Sequence, residues 1–365
     1  MKFSINQSEL QGALGVVAKG AATRSTLPIL SGILLKAYDD SLTLESTNLD
    51  LSIQCSVAAL IEEEGEAVIP SKLLNEVVKS LPDAAVHFSF SEDSVDIICD
   101  TASFSLKTLP AQDFPGFPSI QKELSVNIPF VTFSHMVKRV AHVVSKDESR
   151  AILTGVLIDV SHDTLKMVAT DSYRLAVTET NFEYSGEDFN AVIAGSFLMD
   201  VASLTDLDDT LEISTANNQI IIKYQNMTFV NRKIEGNYPH YNQLIPDSYE
   251  VRACYDTKQL IAAVKRTSLL SNKTSPVKFD LNKESQTTQI STASQDVGTA
   301  CETIKSDMEG SDAEIAFNFS YTLDGLSSVE TDQVYLEMQS SMKPGIFKSD
   351  AQERYLYLIM PVRLS

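Results

Sequence analysis

The chain repeats itself, and a repeat of this length limits the fold to copies of one unit. Residues 67–90, AVIPSKLLNEVVKSLPDAAVHFSF, read as a short strand, a helix starting at Ser71 and an alternating strand. The same order returns at 191–215 with Ser196 at the helix start, and at 314–339 with Ser320. These serines stand 125 and 124 residues apart in a chain of 365. Serine suits the N-cap of a helix, where its hydroxyl can accept from an unpaired backbone N–H. A second landmark keeps the same interval. Apolar residues recur at helical spacing in NQSELQGALGVVAKG from Asn6, SHMVKRVAHVVSK from Ser134 and DTKQLIAAVKRTSLLS from Asp256, with Ser134 and Asp256 as expected caps. Each leads on to an alternating segment that closes around a threonine: LTLESTN at Thr47, LKMVATD at Thr170 and TTQISTA at Thr292. The reading is three copies of one unit, each with two helices among several strands.

Boundaries are expected where breaker residues gather, after PAQDFPGFPSI (110–120) and NYPHYNQLIPDSYE (237–250). The domains expected are therefore 1–124, 125–248 and 249–365. Segments such as VDIICDTASFSLKTL alternate apolar and polar residues, which favours antiparallel sheets with one solvated face over βαβ crossovers. The expected class is α+β.

Several classes of function find no support. Cys55, Cys99, Cys254 and Cys301 lie far apart, and the five histidines show no H-E-x-x-H spacing, so no metal, cofactor or disulfide framework is expected. Nucleophile elbows, Walker loops and G-x-G-x-x-G loops are missing, and no residue is assigned to catalysis. No run of about 18 apolar residues occurs, and MKFSINQSEL lacks a secretory apolar core, so no membrane contact and a cytoplasmic location are expected.

Charge carries the next step. The formal net charge is -20, which taken alone argues against a nucleic-acid partner. Its distribution argues otherwise. On helical wheels, Leu10, Leu14 and Val17 oppose Lys19, and Leu74, Val77, Val78 and Leu81 oppose Lys72 and Lys79. Val137, Val140, Ala141 and Val144 oppose Lys138, Arg139 and Lys146, while Leu260, Ile261 and Val264 lie away from Lys258, Lys265 and Arg266. Asp200 and Asp324 break the pattern on the helices near 196–204 and 320–329. Surface lysine on any soluble helix would look the same; with the repeat, the mildly basic helices can instead line a hole inside an acidic outer wall. Screening over about 8 Å at physiological salt keeps that wall from cancelling the local attraction. Nothing resembles a base-reading module, so the DNA contact expected is to the backbone and independent of sequence.

The chain resembles the bacterial DNA polymerase III beta subunit, the sliding-clamp family, over essentially its whole length. The resemblance rests on MKFSINQSEL, RSTLPILSGILL, LTLESTNLDLSI, LKTLPAQDFPGFP, RAILTGVLID, VATDSYRLAV, KIEGNYPHYNQLIP and the terminal YLIMPVRL, in the family's order. It implies three repeated clamp domains, a head-to-tail homodimer ring with helices inside, and a tether without catalysis. It also implies a pocket for short apolar, Gln-containing peptides from the polymerase alpha subunit, the clamp loader and repair proteins. One wall of that pocket is carried over as Leu153, Thr170, Asp171, Ser172, Tyr173, Arg174 and Leu175. The interdomain segment supplies Pro239, Gln243 and Leu244, and the C-terminal stretch supplies Leu358, Ile359, Met360, Pro361, Val362 and Arg363. Tyr321, Met342 and Pro344 are expected neighbours, with Arg174 and backbone groups orienting the peptide. Tyr173 stands where many members have His, and Gln243 where some have Arg, so peptide preference can differ. For DNA the resemblance adds Arg24 and Arg150. At the ring seam it pairs Phe104 and Leu106 of one subunit with Leu269 and Leu270 of the other. Two other readings stay open on the residues alone: an enzyme of nucleotide metabolism, for which no catalytic pair presents itself, and a threefold scaffold that binds only proteins.

Overall fold

A computed structural model describes residues 1–120, 123–161, 164–184, 186–204, 209–216, 218–271, 276–294, 297–349 and 354–363. The chain divides into two compact units. The first comprises Met1–Val131 and Ser203–Lys233, the second Thr132–Ala202 and Ile234–Ser365. Each unit holds two sheets whose strands pair antiparallel, as the alternating segments predict.

In the first unit an eight-stranded sheet runs in the order Leu124–Pro129, Thr210–Ala216, Gln219–Tyr224, Met227–Arg232, Leu51–Ala58, Ser41–Thr47, Gly32–Tyr38, Gly65–Pro70. Its five-stranded companion starts at Leu60–Glu63 and ends with Ala102–Lys107 as an edge. In the second unit a nine-stranded sheet places Arg174–Asn181 against Tyr355–Ile359, and a four-stranded sheet ends in the edge strand Gly298–Lys305. Pairing of Leu51–Ala58 with Met227–Arg232, and of Arg174–Asn181 with Tyr355–Ile359, joins residues about one repeat and a half apart into single sheets. The repeat is visible in backbone detail as well. Gly32 and Gly155 occupy equivalent strand starts, and a Cβ at either would collide with a valine, Val68 or Val192.

Six α-helices form among the described residues: α1 (Gln7–Val17), α2 (Ser71–Ser80), α3 (Phe130–Val140), α4 (Gly195–Ala202), α5 (Thr257–Thr267) and α6 (Phe319–Leu326). Their apolar faces go inward as the wheels require. Leu10, Leu14, Val17, Leu74, Val78, Leu260 and Val264 are buried, each core side chain of this size stabilising the fold by about 1.5–3 kcal/mol. Asp256 caps α5 as expected, its Oδ1 accepting from Gln259 N–H at 2.8 Å.

The other expected caps are displaced. Ser71 is the first residue of α2, preceded by Pro70 with no side-chain cap. Ser196 is the second residue of α4. Asn318, not Ser320, caps α6, accepting from the N–H groups of Ser320 and Tyr321. Helix α3 starts four residues before Ser134, because Phe130, Phe133, Val137 and Val140 already mark its buried stripe. Ser134 sits inside the helix, and its hydroxyl donates to Ala202 O at 2.8 Å.

Arg139 does not face outward. It is buried, with its guanidinium 5.5 Å from the Tyr355 ring centroid and 3.7 Å from Glu330, which also takes His135 at 2.8 Å. A helical wheel registers which face meets the helix's own sheet, but it cannot show that Glu330 and Tyr355, far along the chain, meet a second face of α3. Arg139 is therefore removed from the DNA-facing set.

Candidate functional site

The expected pocket residues from 153 to 363 all belong to the second unit, and a tight turn lies at their centre. Thr170 Oγ1 donates to Arg174 O at 2.7 Å and accepts from Ser172 N–H at 3.2 Å. Asp171 Oδ1 accepts from the N–H groups of Tyr173 and Arg174 at 2.9 and 3.0 Å. These short polar side chains hold the turn with Ser172 at φ 79°, and Tyr173 projects from it, 60% exposed. Ile359 ends the neighbouring strand, and the chain continues in register: Met360 N–H donates to Tyr173 O at 2.9 Å, and Val362 N–H to Ala316 O at 2.8 Å. Met360 is thereby fixed beside Tyr173 with 43% of its surface exposed.

Beneath this surface lies an apolar cluster of Val168, Leu175, Tyr241, Ile346 and Leu358. Tyr238 and Ile245 pack on it from the interdomain segment, and Tyr238 OH donates to Val168 O at 3.2 Å. Burial raises the Tyr238 hydroxyl well above its ordinary pKa, so it stays a neutral donor. Of the residues expected to line the pocket, Tyr173, Gln243, Leu244, Met342, Met360 and Arg363 are exposed, and Pro239, Tyr321, Pro361 and Val362 are half-buried. Exposed apolar side chains such as Tyr173 and Met360 beside a packed apolar cluster can seat apolar peptide side chains.

Several residues expected in the pocket occupy other places. Leu153, Leu175 and Leu358 are core, 5%, 1% and 2% exposed, and Leu175 and Leu358 belong to the apolar cluster beneath the turn. Ile359 lies on the opposite face of its strand with Tyr355 and Tyr357, because side chains alternate, and is withdrawn from the pocket. Pro344 and Ile346 border a cavity of about 480 Å³ shared with Pro246 and Tyr249. Arg174 is 8% exposed, and its Nε, Nη1 and Nη2 reach Asp171, Asp324 and His142 O. Arg150, expected to face DNA, donates to Ser172 Oγ at 3.0 Å and stands 3.4 Å from Asp147 while remaining exposed, so it adjoins this turn.

The sequence reading missed Asp324, Tyr357, Tyr241 and Ile346. Tyr241 had a signal. Phe114-Pro115 with Phe117 recurs 124 residues later as Tyr238-Pro239 with Tyr241, and Phe117 packs on the cluster of Ala216, Ile221 and Val230 in the first unit as Tyr241 does in the second.

Lys72, Lys79, Lys138, Lys146, Lys258 and Lys265 are exposed, as is Arg24. Lys19 donates to Ser203 Oγ at 2.8 Å, and Arg266 is paired with Glu302 at 2.5 Å. At the expected seam Phe104 and Leu106 are half-buried on the edge strand Ala102–Lys107; Leu270 is half-buried and Leu269 is 79% exposed. Among the described residues no group of three His, Cys, Asp or Glu side chains could hold a metal ion.

His142 lies beside Arg174, with Nδ1 3.2 Å from Lys138 O and a buried Nε2 that has no hydrogen-bond partner. Burial lowers its pKa below the usual 6.5, outweighing the opposing pull of Lys138 O and Asp324. The unfolded chain therefore takes the proton more readily than the folded one. This stability contribution is complete above about pH 6.5 and is lost as pH falls toward the depressed value. Urea unfolding is expected to show wild type losing more stability than His142→Gln on going from about pH 7.5 to about pH 5.5. Equal losses would remove His142 as the cause.

The DNA polymerase III beta subunit family matches along the chain, its N-terminal domain at residues 1–118, central domain at 127–240 and C-terminal domain at 242–363. The beta sliding clamp of Synechocystis sp. is 31% identical, and that of Streptomyces coelicolor is also 31% identical, each alignment covering both chains in full. The crystal structure of the DNA polymerase sliding clamp from Bacillus subtilis is 30% identical, with a TM-score of 0.95 over both whole chains. A sliding clamp from Pseudomonas aeruginosa bound to griselimycin is 28% identical, with a TM-score of 0.94 over the same full coverage.

Proposed function

Because this chain belongs to the DNA polymerase III beta subunit family, the beta sliding clamps, we propose that two copies close head to tail into a ring around duplex DNA. The ring tethers the replicative polymerase, and other proteins carrying a short apolar motif, through the surface around Tyr173, Leu244 and Met360. The observation that carries this reading is the full-length agreement, domain by domain and in order, with beta clamps. As a processivity subunit it needs no catalytic residues of its own. A topological link asks for no tight grip, so the ring can slide while the effective concentration of its cargo at the DNA stays high. The domain boundaries proposed are those of the three repeats.

The exposed lysines of α2, α3 and α5, with Lys19 and Arg24, supply diffuse phosphate attraction, and the acidic remainder of the chain repels DNA elsewhere. No helix among the described residues is long and apolar enough to cross a membrane, and a cytoplasmic location is part of the proposal.

The test is topological. Protein loaded on circular DNA by a clamp loader is expected to remain bound until the circle is cut, and then to run off the ends. Retention on the linear product would favour a groove binder and reject the ring. Charge reversal of Lys72, Lys138 and Lys258 together is expected to weaken direct, loader-independent affinity for duplex DNA by roughly tenfold and to flatten its salt dependence by about three phosphate contacts, while retention on the intact circle, being topological, persists. Peptide binding should be unchanged.

A further inference from the structure

The family resemblance implies that Arg174 orients a bound peptide, yet its guanidinium is engaged within the protein. Nε donates to Asp171 Oδ2 at 2.9 Å, Nη1 to Asp324 Oδ2 at 2.5 Å and to Tyr357 OH at 3.4 Å, and Nη2 to His142 O at 3.3 Å. Its Cζ lies 4.3 Å from the Tyr321 ring centroid. Two carboxylates neutralise its charge, and four of its five N–H donors are occupied.

The molecule contains its own control for what Arg174 does. In the first unit, Thr47–Leu51 repeats the turn of Thr170–Arg174. Thr47 Oγ1 donates to Leu51 O at 3.1 Å and accepts from Leu49 N–H at 3.0 Å, while Asn48 Oδ1 accepts from Asp50 and Leu51 N–H at 3.0 and 2.8 Å. Leu49 has φ 79°, the same as Ser172. Arg232 N–H donates to Asp50 O at 3.1 Å, as Met360 N–H does to Tyr173 O. At the position of Arg174 this copy has Leu51, buried and uncharged. The turn and its strand pairing therefore form without an arginine. What the second copy has in addition is the connection from the turn to α6 and to the ring of Tyr321.

We propose that Arg174 is a positioning residue: through Asp324, Tyr357 and Tyr321 it holds α6 and the strand leading to Met360 against the Tyr173 turn, pre-building the peptide pocket without reading the peptide's charge. The inference rests on the peptide-docking reading above and concerns how that site is made. A wall held in place before binding removes ordering cost from the association step. The Arg174 guanidinium, 8% exposed, is also a buried charge of the kind for which removal of a partner is costly.

The experiment uses the full chain and two fluorescein-labelled probes, Gln-Leu-Ala-Leu-Phe-Gly and the same hexapeptide with aspartate replacing alanine, followed by anisotropy. Asp324→Asn is expected to weaken both probes equally, by roughly tenfold, and Arg174→Met to weaken both at least as much. The double variant should bind no worse than Arg174→Met alone, because the two changes break one coupled contact. A residue that only stabilised the fold would lower the melting temperature and leave the affinity of the folded fraction unchanged, and that result would overturn the proposal. So would tighter binding of the acidic probe by Asp324→Asn, or selective loss of that probe in Arg174→Met, since either means the guanidinium reaches the ligand. Met360→Ala separates the two levels. If it weakens both probes while the Arg174 variants discriminate by charge, only the positioning role fails; if it weakens neither, the docking site itself is wrong.

Discussion

Deleting Met360–Ser365 is expected to abolish capture of partner peptides while leaving the protomer folded. The deletion removes Met360, which is 43% exposed, and the half-buried Pro361 and Val362. It also removes the two backbone hydrogen bonds that place this stretch, from Met360 N–H to Tyr173 O and from Val362 N–H to Ala316 O. Leu364 and Ser365 lie outside the described residues. The strand Tyr355–Ile359, whose Tyr355, Tyr357, Leu358 and Ile359 are all buried, is untouched, so the nine-stranded sheet keeps its pairing with Arg174–Asn181. An anchor of this size in a small interface contributes about 2–4 kcal/mol, a loss of roughly 30- to 1,000-fold in affinity. Anisotropy titration with a labelled motif peptide reads the affinity, and circular dichroism melting reads the fold. Undiminished binding by a folded truncation would place the pocket elsewhere.

Leu269→Asp is expected to convert a two-chain ring into single protomers of 40.1 kDa and to end retention on circular DNA. Leu269 lies in the short turn Ser268–Leu270 that follows α5, and its 79% exposure means that the isolated protomer loses almost no packing when it changes. Phe104 and Leu106 make poorer test positions, because both are half-buried and an aspartate there would also disturb their own sheet. Among the described residues Ala102–Lys107 and Gly298–Lys305 are each the edge of their sheet, and an open edge invites pairing with another chain. If the seam forms there, the new carboxylate is buried without a partner at both seams of the ring. At roughly 3 kcal/mol for each, association weakens about 10,000-fold. Sedimentation equilibrium gives the mass and the cut-circle assay gives the retention. A Leu269→Asp dimer of undiminished stability would move the seam away from this turn.

Both predictions rest on features that the sequence discloses to different degrees. The threefold repeat, the six helices and the antiparallel strands are legible because they depend on contacts a few residues apart, which impose periods of 3.6 and 2. The turn at Thr170–Arg174 is legible for the same reason, since a threonine and an aspartate make it locally. Capping was legible only where the side chain of the expected residue stands before the first turn. Asp256 does; Ser134 lies inside α3 because Phe130 and Phe133 extend the apolar stripe upstream of it.

The amino-acid sequence by itself determined three copies of one α+β unit, which helix faces are apolar, and the apolar segment at Leu358–Val362. Only the tertiary structure decided that Arg139 is buried beside Tyr355 and Glu330, that Arg174 meets Asp324 150 residues away, and that Ile359 is buried while Met360 next to it is exposed. It also decided that sheets run through from one repeat to the next. Periodicity records which side of an element is apolar. The partner of a charged group, and the strand that pairs with a given edge, are chosen among residues far apart in the chain by burial and hydrogen-bond satisfaction, and no local pattern encodes that choice.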